Sequence, residues 1–349
     1  MSLFDDSKRQ NIFLNPIALD YDYQPKLILY RENQQHFIAN CIKPLLNDRN
    51  GKNLFIHGKP GIGKTVATRH VLKELEENTD ILPMYINCWK KNTGHKIILE
   101  ICNYIDYRFT MNKSTEEIID NISPILNKKC CVICLDEADK IDNYDIIYTL
   151  LEDVFRKTVI LITNNKEWIV KLDSRIKSRL NPELMEFKPY NYDETLGILK
   201  ERISYAFLPN IFSSKALELI AKKTFEIGDL RTGVYLLKEC GDATELKNKN
   251  RIEENEANEA MNKLDEFKTK NDDDLKEDLN EILMLIKNNN NKSSSELFDI
   301  YGKGSYKTFK RRLDELEKNK FISMKEVHLG AGGRQYIISY GSLKKLDEF

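Results

Sequence analysis

Eight residues, Gly58-Lys59-Pro60-Gly61-Ile62-Gly63-Lys64-Thr65, restrict this chain more than any other stretch. Before them, Asn53 to His57 is a short apolar run that reads as a strand; from Lys64 to Glu77 the pattern is amphipathic through Val71, Leu72 and Leu75 and reads as a helix. The spacing G-x-x-x-x-G-K-[ST] between a strand and a helix is that of a phosphate-binding loop. Its glycines let the backbone curl until N–H groups face a polyphosphate, and the helix N-terminus adds a favourable field. Lys64 then reaches the β- and γ-phosphates and the Thr65 hydroxyl takes a place on magnesium. Gly58 to Val66 are the expected contacts of ATP or ADP.

Such a loop needs a metal-side carboxylate nearby. The apolar run Cys130 to Leu135 suits a buried parallel strand and runs into Asp136-Glu137-Ala138-Asp139. Asp136 would hold magnesium through water, and Glu137, one residue on, would polarise the attacking water for in-line phosphoryl transfer. Alone, an acidic strand end is a solvated cap; after a phosphate loop at this distance it reads as catalytic. A third apolar strand, Thr158 to Thr163, ends at Asn164, placed to orient the water or the γ-phosphate.

Around these motifs strands and helices alternate. A helix from Glu32 to Leu46 leads in, Pro83 to Cys88 is a further strand, and helices follow from Lys96 and Thr115. The reading is an α/β domain with a parallel sheet, residues 1–190. From Tyr192 the patterns are helical only: Thr195 to Tyr205, Lys215 to Lys223, Leu230 to Cys240 and Glu253 to Phe267. They predict an all-helical domain over 191–268, then an acidic linker over 269–274 and a third domain over 275–349.

The third domain carries helix patterns at Leu275 to Asn288, Ser294 to Tyr301 and Ser305 to Asn319, then strands at Phe321 to Val327 and Gln335 to Tyr340, joined by a glycine-rich loop ending at Arg334. Three helices and a hairpin spell a winged helix. The last helix is amphipathic and basic, with Tyr306, Phe309, Leu313 and Leu316 inward and Lys307, Lys310, Arg311 and Arg312 around the exposed side. Gly302 to Arg334 holds nine basic and four acidic residues, although the whole chain has a formal charge of -1. A recognition helix bearing Lys307, Lys310 and Arg311 would enter the major groove of double-stranded DNA while Arg334 at the wing meets phosphate or the minor groove.

Taken in order, these residues resemble the AAA+ ATPases: Walker A at Gly58 to Thr65, Walker B at Val132 to Glu137, sensor one at Asn164, an arginine-finger region near Arg179, and sensor two at Arg231 in Gly228-Asp229-Leu230-Arg231. More narrowly, Tyr85 to Cys88, Leu135 to Lys140, Leu172 to Leu180, Phe187 to Tyr190, Gly228 to Arg231 and Tyr30 to Glu32 resemble the archaeal replication initiators related to origin-recognition-complex and cell-division-control proteins. The resemblance implies ATP held between the α/β domain and a helical lid, with Arg231 on the γ-phosphate and further nucleotide contacts from Tyr190 and Arg202. Arg179 would serve a neighbouring subunit's nucleotide; Arg175 is a rival for that role that sequence does not separate from it. Also implied are ATP hydrolysis that is slow and switch-like, binding of origin DNA with local deformation, recruitment of a replicative helicase, and assembly with copies of itself or with relatives on DNA.

Two alternatives stay open: a nucleotide-gated transcription or plasmid-maintenance regulator, and another AAA+ DNA machine such as a clamp loader. Against the latter, this chain has Ser178-Arg179-Leu180 where clamp loaders carry Ser-Arg-Cys, and a basic winged helix in place of a helical collar. No apolar run approaches the ~18 residues of a membrane helix, and MSLFDDSKRQ lacks a signal-peptide core. The expectation is a cytoplasmic, nucleoid-associated protein with no membrane partner. Seven cysteines, several in apolar stretches, read as buried free thiols. Cys131-x-x-Cys134 has zinc spacing but lies inside a strand whose alternation sends the two thiols to opposite faces.

Overall fold

Asp136 ends a strand in which every residue from Cys131 onward is buried, and the burial is two-sided. Cys131, Ile133 and Leu135 join one apolar cluster, whereas Val132 and Cys134 join another. A strand covered on both faces needs helices on both, which is the condition of a parallel sheet in an α/β domain. The alternation also puts Cys131 and Cys134 in different layers, so their spacing makes no common site.

In the computed structural model, residues 11–273, 277–318, 321–328 and 334–340 are described, and the chain divides into two units between Met261 and Asn262. Unit one holds five parallel strands, β1 (Leu54–His57), β2 (Leu82–Asn87), β3 (Cys131–Asp136), β4 (Lys157–Thr163) and β5 (Glu183–Glu186), in the order β2-β3-β4-β1-β5. β5 has no counterpart in the sequence reading. It is an edge strand of four residues with Leu184 exposed and Met185 buried, too short and too charged to stand out from a loop.

Helices α1 (Glu32–Ile42), α2 (Lys64–Asn78), α3 (Gly94–Tyr104), α4 (Thr115–Leu126), α5 (Asp145–Asp153), α6 (Trp168–Lys171) and α7 (Ser174–Leu180) belong to the α/β part. α1 stops earlier than its apolar pattern and continues as a 3₁₀ turn, Lys43–Asn47, because Pro44 has no N–H to extend the ladder. α4 starts on a capping box in which Ser114 accepts from the Glu117 amide and Glu117 from the Ser114 amide; such caps stabilise by about 1 kcal/mol.

Four longer helices follow, α8 (Tyr192–Ala206), α9 (Ser214–Ile227), α10 (Leu230–Leu246) and α11 (Glu254–Asp273). α11 continues to Asp273, so much of the stretch read as linker is helical. α9 ends on Gly228 at φ 75°, and Asp229 immediately caps α10 by accepting from the Arg231 amide at 2.8 Å. A left-handed glycine followed by a capping carboxylate makes a tight corner between two helices. That corner sets Arg231 in the first turn of α10.

Unit two contains α12 (Glu277–Asn288), β6 (Lys292–Ser293), α13 (Ser294–Tyr301), α14 (Tyr306–Lys318), β7 (Ile322–His328) and β8 (Arg334–Tyr340). The strands form an antiparallel sheet in the order β6-β8-β7. Its core is Leu279, Ile282, Ile286, Leu297, Tyr301, Phe309, Leu313, Leu316, Ile322 and Ile338, which includes the apolar stripe expected on α14. β6 escapes a sequence reading because two residues carry no periodicity. Among the described residues no helix is long and apolar enough to cross a membrane.

Candidate functional site

The C-terminal ends of β3, β4 and β1 lie side by side, with Asp136 level with Ile162 and His57 with Thr163. This adjacency brings together three sequence-distant segments: the loop after β1, the carboxylates after β3 and Asn164 after β4. Gly61 and Gly63 have φ of 71° and 88°, a region that costs a residue with a Cβ about 1–2 kcal/mol. They also have no room: a Cβ on Gly61 would stand 1.8 Å from Asp229 Oδ1, and one on Gly63 2.7 Å from the Tyr190 hydroxyl. Ile62 between them is buried in the core beneath α2, which pins the loop.

Lys64 is buried, and its ammonium donates to the carbonyls of Gly58 (2.8 Å) and Lys59 (2.7 Å) and to Asn164 Oδ1 (2.7 Å). Burial holds it below the usual lysine value, Glu137 and Asp136 pull the other way, and the charge of Arg231 adds to the lowering. Asn164 Nδ2 in turn donates to both carboxylate oxygens of Glu137, at 3.1 and 2.9 Å. Lys64, Asn164 and Glu137 therefore form one hydrogen-bonded chain across the mouth of the loop. Burial, then the neighbouring Asp136, raises the Glu137 carboxyl, while the Asn164 hydrogen bond opposes the shift.

Glu137 itself sits at φ 53°, a left-handed conformation that stores about 1–3 kcal/mol in a residue with a side chain. Its amide donates to Asp136 Oδ1 at 2.9 Å, and Asp136 Oδ2 accepts from Thr65 Oγ1 at 2.7 Å and from Tyr85 OH at 2.6 Å. A hydroxyl and a carboxylate in contact at a phosphate loop are hard oxygen donors, the kind that suit Mg²⁺ when substrate phosphates and water complete its shell. Among the described residues no group of three or more His, Cys, Asp or Glu side chains makes an all-protein metal cage.

Of the other residues singled out from sequence, Lys59 and Pro60 are exposed at the loop, and the Val66 side chain packs on the core, leaving only its backbone for a phosphate. Tyr190 is buried against Gly63. Arg202 is engaged with the N-terminal segment: it donates to the Ala18 carbonyl at 2.9 Å and lies 5.1 Å from the Tyr23 ring, so its partners are not on the phosphate loop. Arg179 pairs with Glu152 at 2.7 Å and lines a 460 Å³ cleft with Asn50–Asn53, Lys157 and Glu183, residues that precede or begin β1, β4 and β5. That is the N-terminal end of the strands, opposite to the end that carries the loop. Arg175 is exposed, paired with Asp173 at 3.1 Å.

On α14, Lys307 and Arg311 are exposed, Lys310 lies 4.7 Å over the Tyr336 ring, and Arg312, expected on the exposed side, donates to Tyr301 OH at 2.9 Å. The Arg334 side chain and residues 329–333 of the hairpin loop lie outside the described residues. Two contributors have no role in the sequence reading, Tyr85 on Asp136 and Arg31 on the loop. Tyr85 leaves a signal: a polar-tipped aromatic in the apolar run of β2, paired with Cys134 two residues before Asp136.

A P-loop α/β module carrying a helical lid that reaches back onto the loop is an AAA+ ATPase. The AAA-domain profile matches residues 47–167, and that of the Cdc6 AAA+ ATPase-type lid domain matches residues 196–262. ORC1-type DNA replication protein 2 of Methanothermobacter thermautotrophicus is 26% identical over 355 residues, covering 94% of this chain and 92% of that protein. ORC1-type DNA replication protein 1 of Sulfurisphaera tokodaii is 32% identical over 251 residues, covering 68% and 63%. The fold is similar to that of the Aeropyrum pernix ORC1 protein, solved in complex with DNA, with a TM-score of 0.74 at 22% identity over 95% of this chain and 94% of that one. Cdc6p from Pyrobaculum aerophilum gives a TM-score of 0.66 at 19% identity, covering 95% of each. The chain belongs to the Orc1/Cdc6 family of DNA replication proteins.

Proposed function

We propose that this ATPase is a replication initiator in which nucleotide state gates binding to double-stranded origin DNA, followed by local DNA deformation and recruitment or loading of a replicative helicase. The observation that carries the reading is the chain Lys64–Asn164–Glu137 at the loop mouth. It joins a phosphate-binding cation, a sensor amide and a general base, so phosphate bound at the loop competes directly for Lys64 and alters how Glu137 is held.

In this reading Gly58 to Val66 cradle ATP or ADP, Thr65 and Asp136 hold Mg²⁺, and Tyr190 supports the cradle from behind. The bound cation would neutralise phosphate charge and fix the phosphates for in-line displacement. Lys64 leaves the Gly58 and Lys59 carbonyls for phosphate oxygens. Glu137 accepts a proton from the attacking water, with Asn164 orienting it, and Arg231 reaches the γ-phosphate from the lid. Arg179, at the end of the strands away from the loop, suits a neighbouring subunit's nucleotide, and Arg175 on the same helix is the alternative.

The second unit supports the DNA half of the proposal. Its helices and antiparallel strands follow the order of a winged helix, with α14 as recognition helix presenting Lys307 and Arg311, with Lys310 beside them, and the β7–β8 hairpin as wing with Arg334. Duplex binding measured with ATP, with ADP and without nucleotide, on origin and random DNA, tests the gating. Sequencing the DNA bound in cells tests the role: enrichment at promoters alone would assign the chain to transcriptional regulation instead.

A further inference from the structure

Arg31 is 4% exposed, yet among the described residues none of its hydrogen bonds goes to a carboxylate. Removing an unpaired guanidinium from water is costly unless its donors are met, and here backbone carbonyls meet them. Nε and Nη2 donate to the Ile62 carbonyl at 3.3 and 3.0 Å, and Nη2 also donates to the Lys188 carbonyl at 2.7 Å. The guanidinium lies 3.7 Å from the centre of the Tyr190 ring and 5.3 Å from that of Phe187. One residue earlier in the loop, the Gly61 carbonyl accepts from the Leu230 amide of the lid at 3.2 Å.

A trans peptide points its C=O and its N–H in opposite directions. Fixing the Ile62 carbonyl on Arg31 therefore turns the Gly63 N–H the other way, and fixing the Gly61 carbonyl on Leu230 does the same for the Ile62 N–H. These two amides belong to the arc that must face a phosphate. We infer that Arg31 is a positioning residue for nucleotide binding: it touches no phosphate, but with the Leu230 amide it orients the peptide planes of the phosphate loop, and through Tyr190 it braces Gly63. The inference rests on the nucleotide reading of the loop and assigns its pre-organisation to a side chain outside it.

The loop's amides serve phosphates that ATP and ADP share, so the consequence is specific. In Arg31→Met, affinity for ATP and for ADP should fall by one common factor, about tenfold or more as for loss of a charge-assisted hydrogen bond, while the affinity for adenosine stays unchanged. Arg31→Lys, which keeps the charge but not the fork, should recover part of the loss. Competition of ATP, ADP and adenosine against a fluorescent ADP reads these ratios, with melting temperature confirming that each variant is folded. Unchanged ADP affinity in folded Arg31→Met, or an equal loss for adenosine, overturns the inference. Failure of the wild-type chain to bind the fluorescent ADP would instead overturn the nucleotide reading itself.

Discussion

The Tyr85 hydroxyl donates a 2.6 Å hydrogen bond to Asp136 Oδ2, the oxygen that also accepts from Thr65. Tyr85 lies on the neighbouring strand, level with Cys134, so the contact is built into the sheet register. Burial and the adjacent Asp136 raise the phenol well above its ordinary value, which keeps it a donor. Tyr85→Phe should raise the Mg²⁺ concentration needed for tight ATP binding about tenfold, as for other partners of metal ligands, and leave Mg²⁺-free ADP binding intact. A magnesium titration of nucleotide affinity checks this; an unchanged midpoint contradicts it.

Lys64→Ala should lose ATP binding, because Lys64 supplies the cation of the loop. Glu137→Gln should keep ATP and fail to turn it over, since an amide can neither accept the proton nor polarise water as a carboxylate does. Direct binding together with single-turnover hydrolysis separates the two; undiminished hydrolysis in the Gln variant removes Glu137 from its role.

Arg231 is placed by the Gly228–Asp229 corner and is near enough to Lys64 for its charge to be felt there. Arg231→Ala should weaken ATP several-fold more than ADP. Retention of the wild-type ratio of the two affinities would rule out a γ-phosphate contact.

For DNA, the exposed Lys307 and Arg311 should contribute separable amounts. Loss of a phosphate contact weakens all duplexes and lowers the salt slope by roughly 0.9, whereas loss of a bidentate guanine contact costs about 1–3 kcal/mol of discrimination at one base. Arg311→Ala is expected to relax base preference and Lys307→Ala to weaken binding broadly; Arg312→Ala should act through the fold, since Arg312 is tied to Tyr301. Titration of each variant over a salt series on origin and random duplexes decides. If deletion of 275–349 leaves DNA affinity unchanged, the second unit is not the reader.

All seven cysteines are buried and free, and burial pushes Cys41 up to about 11 and Cys88 and Cys131 up to about 12. The reactive thiolate is therefore scarce at neutral pH, and its fraction grows only as pH climbs toward those values. A thiol reagent at pH 7–8 should label none of the seven rapidly in the native chain and all of them after unfolding. Fast stoichiometric labelling of the native protein would contradict the burial.

The phosphate loop, the carboxylates after β3, Asn164 and the α14 stripe are legible in the order of residues alone. Each of these is written locally, in glycines that permit left-handed backbone, an apolar run ending in acid, or a helical period. Chain order alone also placed Arg231, because a Gly-Asp corner before a helix is a local signal. What each of these touches depends on contacts between distant segments. That Asn164 bridges Lys64 and Glu137 follows from strand order β3-β4-β1, which parallel crossovers set and no single segment encodes. Arg179 went to the strand ends away from the loop and Arg202 to Ala18 because neighbours across the fold, more than 25 residues away in sequence, supply their partners. Arg31 was legible only as part of a short motif. Its work depends on carbonyls of Ile62 and Lys188, 31 and 157 residues distant, and a backbone acceptor leaves no mark in the identity of the residue that carries it.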